Sequence, residues 1–233
     1  MKPKAVFFDV DFTLIYPGPM FQAEGYRALC SRHGVEVDAA QFASAVARAT
    51  RLLANDAREF IYDPQVFIDF TNAVIRGMGG AGSGVDACSR VIYDEWAACQ
   101  HFSLYDDVPE ALHTLHAAGI LIGLISNTHR CLASFQSHFE LEGLIAAAVS
   151  SSEHGYMKPH RSIFEAGLKL LGVDDPAEAV MVGDSPLHDI EGARRAGMRA
   201  VLVSRSGPIE PPAADVPVVT SLRELPQALG IKH

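Results

Sequence analysis

Short apolar runs of strand length recur along the chain at 5–8, 120–125, 145–149, 179–182, 200–203 and 216–219. Strands that are apolar on both faces suit a parallel sheet covered by helices on each side, because neither face then meets water. Between the later runs the period changes. Apolar positions return every three or four residues over 108–118, 131–139, 162–171, 186–196 and 222–229, which is the spacing of a helix with one buried face. Glycine follows several of these stretches, at Gly119, Gly172, Gly197 and Gly230, where helices commonly stop. The alternation predicts an α/β fold, a parallel sheet flanked by helices.

From 16 to 105 the strand-like runs are absent, and helix patterns succeed one another over 20–33, 39–55, 64–77 and 85–99. The pattern predicts an all-helical subdomain, 16–105, inserted into an α/β domain made of 1–15 and 106–233. Phe42, Phe60, Phe67, Phe70 and Trp96 are expected to form the core of the insert. The chain enters and leaves it through 12–19 and 104–109, two proline-bearing segments suited to hinges. The run from Gly77 to Gly84 has the glycine content of a phosphate-binding loop. It follows a helix pattern instead of a strand and lacks the Gly-Lys-Ser/Thr ending, so it reads as a linker between helices.

Charge narrows the partners. Lys and Arg number 19 against 28 Asp and Glu, a net charge of −9, and the lysines are only Lys2, Lys4, Lys158, Lys169 and Lys232. Nucleic-acid phosphates are held by clustered Lys and Arg, and no basic stripe can be drawn here, so nucleic acid is not an expected partner. Cys30, Cys88, Cys99 and Cys131 have neither CxxC pairing nor the spacing of a disulfide scaffold, and reduced thiols are expected. Met1-Lys2-Pro3-Lys4 runs into a short apolar stretch that meets Asp9 and Asp11, unlike the apolar core of a signal peptide. No apolar run approaches the roughly 18 residues of a membrane span. A soluble, cytoplasmic chain without a membrane partner is expected; its oligomeric state is open.

Candidate chemistry gathers at the ends of the predicted strands. After 5–8 come Asp9 and Asp11, two apart, where a buried parallel strand ends and where open α/β sheets bind ligands. Such carboxylates either take a divalent cation, since Mg²⁺ prefers hard oxygen ligands, or serve as a helix cap or turn. After 120–125 come Ser126 and Asn127, a hydroxyl and an amide suited to phosphate oxygens and equally to a helix N-cap. The loop after 145–149 carries Lys158-Pro159, and 179–182 is followed by Gly183-Asp184-Ser185-x-x-x-Asp189. One sheet edge thus collects a nucleophile, an anion cradle, a cation and metal ligands.

In this order, Asp9-x-Asp11-x-Thr13, Ser126, Lys158-Pro159 and Gly183-Asp184-Ser185-x-x-x-Asp189, the chain resembles the haloacid dehalogenase-like hydrolase superfamily over nearly its whole length. The insert between the first two motifs resembles the C1-type cap of its phosphatase subgroup. The resemblance implies a Rossmann-like core domain and a Mg²⁺-dependent phosphatase acting on a small phosphorylated metabolite. It further implies that Asp9 becomes an aspartyl phosphate, that Asp11 serves as general acid and then base, and that Ser126, Lys158 and nearby Asn127 hold the phosphoryl group. Mg²⁺ would take the Asp9 carboxylate, the Asp11 main-chain carbonyl and Asp184, with Asp189 as an auxiliary carboxylate. Thr13 would support the first loop.

Two departures from the common pattern stand out: Phe12 where glycine is frequent, and His160-Arg161 after Lys158-Pro159. His160 is expected to be a surface or capping residue. Asp11 favours phosphate chemistry over carbon–halogen hydrolysis, which needs no second carboxylate there. The absence of lysine from 5 to 157 speaks against a phosphonate hydrolase that uses a cap lysine. A phosphomutase would keep every motif. Arg48 and Arg51, with Arg58 beyond, are either contacts for a second anionic group of a substrate or simply a solvated helix face, and Tyr16, Met20 and Phe21 are the candidates for lining the entrance.

Overall fold

The computed structural model describes residues 2–55 and 59–231. Its strands are β1 (Ala5–Phe8), β2 (Ile15–Pro17), β3 (Phe102–Leu104), β4 (Leu121–Ser126), β5 (Ala147–Ser150), β6 (Ala179–Gly183), β7 (Arg199–Val203) and β8 (Val218–Val219). Six form one sheet in the order β5-β4-β1-β6-β7-β8, and every neighbouring pair is parallel. The chain builds outward from β1 to β4 and β5, then crosses back to β6 on the other flank. A break in the carboxyl edge is therefore created beside β1, where ligands bind in such sheets.

The chain divides into two compact units, one made of Met1–Tyr16 with Leu104–His233 and the other of Pro17–Ser103. The second unit holds α1 (Ala23–Arg32), α2 (Phe42–Asn55), α3 (Pro64–Gly77) and α4 (Gly84–Trp96). Asp63 starts α3 by accepting the Gln65 N–H, and Pro64, which needs no partner for a missing N–H, occupies the first turn. The glycine-rich segment links α3 to α4, with Gly79 and Gly82 at positive φ. The core of this unit is mainly aliphatic, drawn from Leu29, Ile68, Val74, Ile75, Val85 and Ile92 together with Tyr26 and Phe21. Phe42, Phe60, Phe67, Phe70 and Trp96 are each only partly buried, so the aromatic core expected here is not what forms. The buried faces of α1, α3 and α4 consist mainly of Leu, Ile, Val, Cys and small hydroxyl side chains, with Tyr26 the one ring among them.

The sheet unit carries α5 (Val108–Ala117), α6 (Leu132–His138), α7 (Ser151–His154), α8 (Arg161–Leu170), α9 (Gly192–Arg195) and α10 (Leu225–Ala228). The stretch expected to form a single helix over 186–196 begins instead as a π-helix, Pro186–Glu191. Every residue of β1 and β6 is buried, as the doubly apolar runs require. Phe7 fills the layer beneath α8 only because two neighbours lack side chains: a methyl on Gly123 would lie 2.5 Å from its ring, and one on Gly167 3.0 Å.

β2 and β3 pair as a separate two-stranded ribbon, although no strand was expected inside 16–105. Three residues are too few to establish a period of two, so the pattern did not carry this pair. Next to the ribbon, the Gly18 N–H donates to the His101 carbonyl at 2.7 Å, and a methyl on Gly18 would stand 2.8 Å from that oxygen. Among the described residues no helix is long and apolar enough to cross a membrane.

Candidate active site

Register aligns three strand ends. Phe8 is level with Leu124 on one side and Val182 on the other, and the Asp9 N–H extends the ladder by donating to the Val182 carbonyl at 2.9 Å. Asp9, Asp11, Ser126 and Asp184 therefore emerge from adjacent strands at one edge. Lys158 comes from the loop beyond α7, and its buried ammonium donates to Asp9 Oδ1 (2.5 Å), Asp189 Oδ1 (2.6 Å) and the Ile125 carbonyl (2.8 Å). One buried cation thus ties the first and last motifs to the end of β4, and each of its three hydrogens has an acceptor.

Negative charge still exceeds positive. Carboxylate oxygens of Asp9, Asp184 and Asp189 all lie within 4.8 Å of one another. Burial pushes the Asp9 carboxyl up to about 6, with Lys158 pulling it down and Asp189 pushing it up. Burial, followed by the charges of Asp9 and Asp189, pushes Asp184 up to about 8. For Lys158, burial acts downward, but Asp189 and Asp9 outweigh it and hold the ammonium well above its usual range. Three hard oxygen donors around one ammonium fit a Mg²⁺ ion, whose charge would relieve the excess.

Ser126 Oγ is buried with no hydrogen-bond partner among the described residues, an arrangement that a bound oxyanion would satisfy. Asn127 is engaged differently from expectation. Its amide donates to the Lys158 carbonyl at 3.0 Å and its oxygen accepts the Lys158 N–H at 2.7 Å, so the side chain clasps the lysine's main chain. Asp189 likewise serves the loop, its Oδ2 accepting the Ser185 N–H at 2.9 Å. Thr13 is buried and its hydroxyl faces Asp9 Oδ2 at 3.5 Å.

The loop between Asp9 and Ile15 is tight: the Phe12 N–H donates to the Ile15 carbonyl at 2.7 Å, and Leu14 and Ile15 return to the Val10 carbonyl at 2.8 and 3.1 Å. Closing it puts Phe12 at φ 63°, a left-handed conformation that costs a residue with a Cβ about 1 kcal/mol or more. Phe12 is 43% exposed, so burial does not keep it in that conformation.

The family model for the haloacid dehalogenase-like hydrolases matches residues 3–197. The chain belongs to that family. This haloacid dehalogenase-like hydrolase is 31% identical to the ribulose-1,5-bisphosphate 5-phosphatase of Halopiger xanaduensis, over 87% of this chain and 85% of that one. Its fold matches the crystal structure of a phosphatase of the same superfamily from Thermococcus onnurineus, with a TM-score of 0.67, 23% identity and coverage of 98% and 99% of the two chains. It also matches the 2-haloacid dehalogenase of Pseudomonas syringae, with a TM-score of 0.64, 24% identity and 98% coverage of both. The shared architecture therefore accommodates both chemistries, and only the site can separate them.

Two arginines of this hydrolase belong to the site's surroundings without being marked by the sequence pattern. Arg130 has a fully buried side chain whose Nη1 donates to Asp11 Oδ1 (3.2 Å) and Oδ2 (3.1 Å). Burial raises the Asp11 carboxyl above its usual value, and Arg130 opposes that shift. Arg205 donates to Asp107 Oδ2 and to the Thr13 carbonyl, each at 2.6 Å, and its guanidinium lies 4.0 Å above the Tyr105 ring. No local spacing marks either residue, because each side chain finds its carboxylate roughly a hundred positions away; Arg130 alone carries a signal, as a basic residue shortly after Ser126-Asn127. His160 caps α8 as expected, its ring accepting the Ser162 N–H.

The remaining candidates are scattered. Phe21 is buried against Trp96 and Phe102, which removes it from the entrance residues, whereas Tyr16 is exposed beside Tyr105. Arg48 donates to the Gly77 carbonyl at 3.1 Å, ending α3, and Arg51 is exposed. Arg58 lies outside the described residues.

Proposed function

We propose that this hydrolase is a Mg²⁺-dependent phosphatase of small phosphorylated metabolites. The observation that carries the reading is the set Asp9, Asp11 and Asp184 at adjoining strand ends with the Lys158 ammonium on Asp9, and the buried Ser126 hydroxyl left for a ligand. The relative that acts on ribulose-1,5-bisphosphate supports the substrate class.

In the first half-reaction an Asp9 carboxylate oxygen attacks phosphorus, the ester P–O bond breaks, and Asp11 gives its proton to the departing oxygen to release an alcohol. In the second, Asp11 takes a proton from water as the water oxygen attacks phosphorus, the bond to Asp9 breaks, and inorganic phosphate leaves. Asp9, Asp184 and the Asp11 main-chain carbonyl would hold Mg²⁺, with Asp189 behind them. When bound, the ion neutralises charge on the phosphoryl oxygens, which is the main demand of phosphoryl transfer. Ser126 and Lys158 bind the other phosphoryl oxygens; Lys158 does so by exchanging one of its present acceptors. Asn127 contributes by holding the Lys158 main chain. The Pro17–Ser103 unit serves as a cap that excludes water from the aspartyl phosphate, with 12–19 and 104–109 as its hinges.

Carbon–halogen hydrolysis would leave Asp11 and the surplus of carboxylates without a task. The test is release of inorganic phosphate from a panel of sugar phosphates, phosphoglycolate and nucleotides with Mg²⁺. Asp9→Asn should reduce it to background and abolish labelling of the protein by ³²P substrate. Chloride release from a 2-chloroacid with no phosphate release would overturn the proposal. Transfer of phosphate to a second sugar position would reassign the enzyme as a mutase.

A further inference from the structure

A guanidinium taken wholly out of water is costly unless a charged partner meets it. Arg130 meets Asp11, and both contacts come from a single nitrogen, Nη1, to the two carboxylate oxygens. Each oxygen retains a further lone pair, so the contact orients the carboxylate without consuming it. The other end is anchored as well. The Arg130 N–H donates to Thr128 Oγ1 at 3.0 Å, while the Thr128 carbonyl accepts from Ser151 Oγ and the Ser152 N–H, both at 3.3 Å. The arginine therefore stands on a segment fastened to α7, and it reaches across to a loop that hangs from a different strand.

We propose that Arg130 is a positioning residue for proton transfer, fixing the Asp11 carboxylate where the oxygen of the leaving group departs. The proposal rests on the assignment of Asp11 as acid and base made above. Proton donation demands placement within hydrogen-bond reach of the departing oxygen, and small displacements are costly to rate. An Asp11 freed from Arg130 would still be present but would be aimed less consistently. The loss should therefore grow as the leaving group becomes more dependent on a proton.

The test compares kcat/KM for para-nitrophenyl phosphate, whose phenolate leaves readily, with that for phenyl phosphate, whose phenolate does not. Arg130→Met removes the donor while filling the buried volume. It should lower turnover of phenyl phosphate about tenfold more than that of the nitrophenyl ester, and Arg130→Lys should recover part of the difference. In the Asp11→Asn background the same Met substitution should change either ester by no more than about twofold, because the group it acts through is gone. That second comparison also serves if Arg130→Met alone does not fold, since the double variant leaves neither charge buried alone. An unchanged ratio of the two esters in a folded Arg130→Met enzyme overturns the proposal, as does a tenfold fall from Asp11→Asn to the double variant. Failure of the wild-type enzyme to hydrolyse either ester would instead remove the phosphatase assignment.

Discussion

Asn127 and Lys158 lie 31 positions apart and are joined twice, amide to carbonyl and N–H to amide oxygen. A lysine has a long, mobile stem, so its placement depends on where its main chain is held. Asn127→Asp keeps the acceptor for the Lys158 N–H but sets a carboxylate against the Lys158 carbonyl, which needs a donor. Phosphatase activity should fall by about tenfold or more, with helical content unchanged by circular dichroism. Wild-type kcat in Asn127→Asp would separate the clasp from catalysis.

Gly183 is equally constrained, although it bears no chemistry. A methyl at that position would sit 2.3 Å from the Asp189 carboxyl carbon, so Gly183→Ala must displace the partner of Lys158. Activity should fall by about tenfold or more, and thermal stability should drop by about 1–3 kcal/mol for the overpacking. Denaturant unfolding and a phosphate-release assay measure the two effects; a fully active Gly183→Ala would mean that Asp189 is dispensable.

The charge surplus makes stability depend on pH in a definite direction. Asp9 and Asp184 have folded values of about 6 and about 8, above the ordinary 3.8. Metal-free protein therefore holds more protons folded than unfolded, and it should lose stability as pH rises from about 4 through about 8. Mg²⁺ binds the ionised carboxylates and expels those protons, so its addition should raise the melting temperature more at about pH 8.5 than at about pH 5.5. Scanning fluorimetry with EDTA or MgCl₂ at the two values is sufficient. A larger shift on the acid side would refute the assignment of these carboxylates as the ion's ligands.

Arg205 and Asp107 form a largely buried ion pair, reinforced on the aspartate by Ser221 Oγ at 2.7 Å and the Leu222 N–H at 2.8 Å. Burial alone would raise the Asp107 carboxyl, but Arg205, Ser221 and Leu222 together hold it below its usual value. Arg205→Ala leaves that carboxylate buried with its cation gone and should cost about 3–5 kcal/mol. Because a lowered value stabilises above the unfolded pKa and is lost as pH falls through the folded one, the deficit of the variant should shrink towards about pH 3. Chemical unfolding across pH reads this directly; equal deficits at acid and neutral pH would contradict it.

Much of this architecture is legible in the residues themselves. The doubly apolar runs at 5–8 and 179–182 coincide with buried strands because a central parallel strand leaves no polar face to confuse the pattern. Asp9, Asp11, Ser126 and Asp184 are visible because a motif at a strand end is a local arrangement. What escaped notice is non-local or too short. Arg130 and Arg205 look like any surface arginine until the fold supplies Asp11 and Asp107. The β2–β3 ribbon has too few residues to establish a period, and ring size is no guide to the core of the insert, because its helices bury mainly aliphatic faces.

The Gly18–His101 bond has a further consequence. The main chain is knitted at the point where it passes into and out of the helical unit, so the remainder of the protein sees that unit as it would see a short hairpin, whatever lies beyond the knot. Asp9, Asp11, Ser126, Lys158, Asp184 and Asp189 all belong to the other unit. A helical insert of another length could therefore be joined at the same knot without moving the strand ends that carry Asp9, Asp11, Ser126 and Asp184.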